Sequence, residues 1–201
     1  MNKELNPRYA SIIKSGRKLF WKHGFKRVTV EEICKTAGVS KMTFYRYFKN
    51  KVELAKTVYE KEAREGFEKF RSIMSDVNST PLEKMEQILT LKLEGTNEIS
   101  YEFLKDFYHN KEAGLPEFVE NKSRQLWSAM MEDFKKAQQK GWIRRDFKPE
   151  GVFLFINKLY EVINDDEAVR LYGSPQEAVM ELARFFTFGI MPRESGKPGK
   201  K

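Results

Sequence analysis

Residues 29–51 read TVEEICKTAGVSKMTFYRYFKNK, and this stretch sets the architecture of the chain. Thr29 followed three positions later by Glu32 has capping-box spacing. In that motif the hydroxyl accepts from the Glu32 amide while the carboxylate reaches back to the Thr29 amide. Val30, Ile33, Cys34 and Ala37 then fall on one side of a two-turn helix that Gly38 ends. Ser40 is placed to cap a further helix after only Gly38 and Val39. Two short helices joined by three or four residues that include a glycine are the signature of a helix-turn-helix. Short helical corners in folds that never meet DNA share the pattern.

The next helix separates these readings. At about 100° per residue, Phe44 and Phe48 share one face and are expected to pack inward. Met42, Thr43, Arg46 and Tyr47 are expected on the opposite side, with Lys41 and Tyr45 on the flanks. Such an outward face suits a major groove: Thr and Met can meet a thymine methyl, and Lys or Arg can reach guanine acceptors. Tyrosine hydroxyls and the Lys51 ammonium suit phosphate oxygens. The competing reading has Tyr45 and Tyr47 covering the underside of the following helix; the helical projection favours it less for Tyr47 than for Tyr45.

Charge distribution agrees with a polyanion partner. The net charge is +8 over 201 residues. Residues 1–65 hold 16 Lys/Arg against 7 Asp/Glu, whereas residues 66–201 hold 21 against 22. The basic excess therefore sits on the N-terminal third, as in a polyanion-binding module joined to a neutral one. With 40% apolar and 33% charged residues the chain reads as globular rather than disordered. No run approaches the roughly 18 uncharged apolar residues that span a bilayer, and no secretory apolar core precedes the first helix. The single cysteine, Cys34, excludes an internal disulfide framework and points to a reducing, cytoplasmic compartment. Its place on the apolar stripe makes it a small buried hydrophobe.

Residues 25–54 resemble the DNA-binding signature of the tetracycline-repressor (TetR-like) family. The family block G-[VI]-S-x-x-[TS]-[LF]-Y-x-[YH]-F-x-[NS]-K is met by Gly38, Val39, Ser40, Thr43, Phe44, Tyr45, Tyr47, Phe48, Asn50 and Lys51, with Thr29, Val30 and Ile33 matching the upstream element. The resemblance implies base contacts from Lys41, Met42, Thr43, Tyr45 and Tyr47. It implies phosphate contacts from Thr29, Arg46 and Lys51, with Ser40 as cap and contact. Met42 stands where the family often has a small residue, which implies a narrowed or shifted sequence preference. Cys34 also departs from the small residue usual there.

Outward from this stretch the chain reads as all-α, with about nine helices. Tyr9, Ile12, Ile13, Gly16, Leu19 and Phe20 mark a first helix that Gly24 closes as a left-handed residue. The expected divisions are a helix-turn-helix domain over 1–50, a connecting helix within 51–77, a regulatory domain over 78–192 and a flexible basic tail over 193–201. The regulatory part is rich in aromatic residues and methionine. Phe103, Phe107, Trp127, Met130, Met131 and Phe134 are candidates for an effector pocket, against the alternative of an ordinary packed core. Residues 152–163 and 178–190 are nearly continuous in apolar residues, so each needs burial on two sides. A homodimer through these helices satisfies that requirement, as the resemblance also implies.

Catalysis finds no support: there is no phosphate-binding glycine loop, nucleophile elbow or CxxC pair, and no catalytic residue is assigned. Glu102, Asp106 and His109 share a helical face, a spacing open to a metal but met more often on solvated surfaces; no metal or cofactor is expected. The same carboxylates, with Glu94 and Glu98, leave a cationic effector open. The expected function is a ligand-responsive transcriptional regulator, a repressor that binds a palindromic double-stranded DNA operator as a homodimer and leaves it on binding a small molecule. The alternative is an α-helical small-molecule binding protein or enzyme with a vestigial helix-turn-helix.

Overall fold

The computed structural model describes residues 6–109, 111–151 and 171–191, apart from the Glu112 side chain. Among them are eight α-helices and no strand: α1 (Pro7–His23), α2 (Val30–Ala37), α3 (Lys41–Tyr47), α4 (Lys51–Ser75), α5 (Pro81–Gly95), α6 (Tyr101–Tyr108), α7 (Leu115–Gln139) and α8 (Pro175–Gly189). Residues 152–163, expected to form a further helix and half of a dimer face, lie outside the described residues. The same holds for the tail from 192 onward.

Local chemistry fixes most helix ends. Side-chain oxygens of Asn6, Thr29, Ser40, Asn50, Thr80, Ser100 and Ser174 each accept a backbone N–H in the first turn of a helix. Both Thr29/Glu32 and Thr80/Glu83 close full capping boxes. Gly38 is left-handed, at φ 66° and ψ 35°, and its conformation turns the chain from α2 toward α3. Gly24 differs from expectation. Its φ is 76° but its ψ is 171°, an extended positive-φ geometry rather than the left-handed cap.

Two buried clusters hold the helices together. In the first, Ile12 and Phe20 of α1, Ile33 of α2, Phe44 of α3 and Leu54 and Val58 of α4 join Phe103, Leu104 and Phe107 of α6 and Leu115 and Val119 of α7. A ladder of rings carries this cluster from α1 into α6: Trp21 lies 4.2 Å from Phe103, and Phe103 lies 4.4 Å from Phe107. Gly16 lets α1 close on α4, since a Cβ there would stand 3.1 Å from Leu54. The second cluster gathers Phe70 and Met74 of α4, Met85 of α5, Phe134 and Ala137 of α7, Ile143 and Ile190.

Helix α4 runs from one cluster to the other and is fastened at both ends. Its last turn holds no basic residue of its own. Fully buried Lys84 of α5 supplies one, donating from Nζ to the Ile73 carbonyl at 2.8 Å and to the Asp76 carbonyl. A cation at a helix C-terminus meets the negative end of the helix dipole. The same ammonium stands 4.4 Å from the Trp142 ring centroid, and burial pushes its pKa down.

Candidate nucleic-acid interface

The α2–α3 corner is held from behind by aromatic packing. Phe44 is fully buried and Phe48 nearly so, and Tyr9 of α1 stacks on Phe48 at 5.3 Å. With those rings anchored, the opposite side of α3 is left to solvent. Met42 is 84% exposed and Tyr45 55% exposed, unusually open for such large apolar bodies. Lys41 and Arg46 are exposed beside them, and Thr43 is half-buried. Ser40 accepts the Thr43 amide at 3.1 Å, and the two hydroxyls lie 3.1 Å apart. The Lys41 ammonium pairs with Glu31 of α2, which raises its pKa.

Three expected contacts sit differently from the sequence reading. Tyr47 is half-buried, its ring edge-on to Tyr9 at 5.6 Å, with the Arg46 guanidinium 5.1 Å from the centroid of the same ring. It follows Phe44 by three positions, which puts it beside that inward face rather than opposite it. Tyr45, not Tyr47, is the open one. Lys51 also turns inward. Its Nζ donates to the carbonyls of Phe25 at 2.7 Å, Lys26 at 3.3 Å and Val28 at 2.7 Å, and stands 4.2 Å from the Phe25 ring. All three ammonium donors are thereby committed to the α1–α2 loop, so Lys51 fastens that loop rather than presenting a free cation. Burial pushes its pKa down, with Asp106 and Glu32 opposing. Thr29 donates its hydroxyl to Glu32 at 3.0 Å, which leaves that oxygen engaged in the cap. Cys34 is buried as expected, and burial raises its thiol pKa.

The α1–α2 loop is gripped from the other side by α6. Asp106, one of the carboxylates considered for a metal, is buried and accepts the Lys26 amide at 2.7 Å. A Cβ at Gly24 would lie 2.8 Å from its Oδ2, so glycine is what allows this approach. The Ser100 amide donates to the Trp21 carbonyl at 2.9 Å, and Trp21 Nε1 donates to Gly95 at 3.3 Å. Among the described residues no group of His, Cys, Asp and Glu is arranged to hold a metal. Asp106, Lys51 and Lys84 carried no period or motif for such roles; the loop and helix end they hold are distant in sequence.

Between the two buried clusters lies a cavity of about 880 Å³. Of the six pocket candidates it brings together Phe103, Trp127, Met130 and Phe134. Phe107 is fully buried in the first cluster, and Met131 does not line the cavity. Its walls also include Trp21 and Arg17 of α1, Tyr59, Glu62, Phe67 and Phe70 of α4, and Leu182 and Phe186 of α8.

A capped, aromatic-backed helix pair with a basic outward face, joined to a helical body that encloses a cavity, defines a helix-turn-helix regulator. Comparison with known proteins gives its kind. Residues 12–58 match the profile of bacterial regulatory proteins, tetR family. The chain is similar to the HTH-type transcriptional regulator UidR of Escherichia coli, with 24% identity over 171 residues, covering 84% of this chain and 86% of that one. Its fold is similar to the fatty acid degradation regulator FadR of Bacillus halodurans, at TM-score 0.67 and 18% identity over 94% of this chain and 98% of that one. It is also similar to regulatory protein TetR of Rhodobacter sphaeroides, at TM-score 0.66 and 20% identity over 92% and 100%. Over residues 12–58 the chain is TetR-like, and it is a transcriptional regulator.

Proposed function

We propose that this regulator is a homodimeric repressor that reads a near-palindromic operator through α3 and releases it when a small molecule fills the cavity. The observation that carries the reading is the exposure of Met42 and Tyr45 on a helix whose opposite side is locked by buried Phe44. Lys41, Met42, Thr43 and Tyr45 meet base edges, and Arg46 meets phosphate. On approach to DNA, Lys41 exchanges Glu31 for the duplex. Tyr47 offers only its hydroxyl edge, and Thr29 and Ser40 act chiefly as caps that set the angle of α2 and α3. Lys51 serves binding indirectly, by fixing the loop before α2.

The exposed rings of Phe185 and Phe188 on α8 supply part of the two-fold interface, together with the 152–163 segment. Two copies of α3 then lie roughly 34 Å apart or somewhat more, one groove repeat. Release follows from the grip on the α1–α2 loop. Phe103, Leu104 and Tyr108 of α6 line the cavity, and Asp106 on the same helix holds the Lys26 amide. A ligand that favours a shifted α6 therefore favours a shifted reader, by its differential affinity for the two states. Among the described residues no helix is long and apolar enough to cross a membrane. A chromosomal operator as partner puts the proposed site of action in the cytoplasm.

Mobility-shift titration against fragments of the parent chromosome, with footprinting and sedimentation equilibrium, tests the reading. The expected result is one protected near-palindrome bound by a dimer, with affinity falling steeply as salt rises. Uniform, weak binding to every fragment by a monomer would overturn it.

A further inference from the structure

Arg17 is the one side chain of α1 that brings a full positive charge to the cavity wall. Its guanidinium lies 5.0 Å over the Trp21 ring, and Trp21 is itself pinned by its bond to Gly95. Nε donates to Glu62 Oε2 of α4 at 3.3 Å. Guanidinium carries five N–H donors, and no other hydrogen bond from Arg17 is made among the described residues. The remaining acidic side chains of the wall have cations of their own: Glu65 has Lys61, Glu94 has Lys69 and Glu120 has Arg124. Lys69 and Lys92 also stand on the wall, Lys69 paired with Glu94, and the rest of it is mainly rings and aliphatic chains, among them Phe67, Phe70, Trp127, Met130 and Phe186.

We infer that the effector is an amphipathic organic anion, whose acid group takes the place of the Glu62 carboxylate on Arg17 while its apolar part fills the aromatic body of the cavity. This rests on the reading of the cavity as the effector site. The geometry disfavours a cation. An ammonium is held by an aromatic face beside a carboxylate, and here Arg17 already occupies both the Trp21 face and Glu62. A cation would have to evict a guanidinium that cannot lose its charge. An anion evicts only Glu62, whose side chain is one-third exposed and turns to water at little cost. The exchange has a consequence for regulation. Arg17 belongs to the reader's first helix and Glu62 to α4, so the incoming acid breaks a strap between them.

Three ligands with the same ten-carbon tail and different heads test this: decanoate, decanol and decylammonium, each displacing the neutral fluorophore N-phenyl-1-naphthylamine from the full-length protein. Decanoate is expected to compete best. Arg17→Gln should weaken decanoate about tenfold or more, the scale of a charge-assisted hydrogen bond, and leave decanol within about twofold. Glu62→Gln should strengthen decanoate, because the competing charge is gone. This opposite sign keeps the test decisive if Arg17→Gln folds poorly. Decanol competing as well as decanoate, with neither substitution moving decanoate, overturns the anion assignment while leaving the cavity as a ligand site. A fluorophore that fails to bind, or one whose binding is unaltered by the cavity-filling change Ser123→Trp, overturns the cavity reading and the anion with it.

Discussion

Replacing Lys51 with methionine separates a structural lysine from a phosphate ligand. The substitution keeps most of the stem over Phe25 and deletes three donors aimed at the carbonyls of residues 25, 26 and 28. Bonds from a charged donor contribute about 1.5–3 kcal/mol each. The half-buried ammonium has lost part of its hydration, which pushes its pKa down, and the freed carbonyls regain some water. The net loss is then about 2–4 kcal/mol, a substantial part of the roughly 5–15 kcal/mol that holds a domain folded. At a denaturant dependence of about 2 kcal/mol per molar, the urea midpoint should fall by about 1–2 M. Operator affinity should drop through disorder of the loop, while its dependence on salt stays near that of the parent. An unchanged urea midpoint, with the slope of log affinity against log salt reduced by about one phosphate contact, would refute the reasoning and return Lys51 to the DNA.

The two faces of α3 should respond oppositely to truncation. Phe44→Ala should cost about 3–5 kcal/mol in thermal or urea unfolding, whereas Met42→Ala and Tyr45→Ala should stay within about 0.5 kcal/mol in stability and lose about 1–3 kcal/mol in operator affinity. Acid stability should report the two capping boxes. Glu32 and Glu83 are held below the ordinary glutamate value of 4.5, chiefly by the amides of Thr29 and Thr80. Their contribution is therefore complete above that value and lost as pH falls through the lowered one. A Glu32→Gln, Glu83→Gln protein should start less stable at neutral pH and lose less on acidification, followed by circular dichroism. Cys34, with its thiol pKa raised by burial, should resist iodoacetamide in the native protein at mildly alkaline pH and react readily in urea, as read by mass spectrometry.

What the sequence could say of this fold was local. Thr29, Glu32, Gly38 and Ser40 act within a turn of themselves, so their caps were readable from spacing alone, and Phe44 and Phe48 followed from a four-residue repeat. Four of the six candidate pocket residues line the cavity because an inner face rich in rings and methionine must meet something, and here it meets a void between two cores. Phe107 belongs instead to the aromatic ladder from α1, which periodicity on α6 cannot distinguish from a cavity wall. Tyr47 was recoverable: its three-residue offset from Phe44 already placed it at the edge of the packed face. Lys51, Lys84, Asp106 and Arg17 were not. Each is a charged residue on an amphipathic helix, and only tertiary structure reveals that its head turns inward, onto a loop, a helix end or a cavity wall.

The central claim is that the outward side of α3 reads base pairs. Selection of bound duplexes from a random pool, run in parallel with the parent protein and with Met42→Ala, tests it most directly. A near-palindrome is expected for the parent, and for the variant the same palindrome relaxed at one or two symmetric positions in each half-site. No palindrome from the parent, or an unaltered motif from the variant, would contradict it.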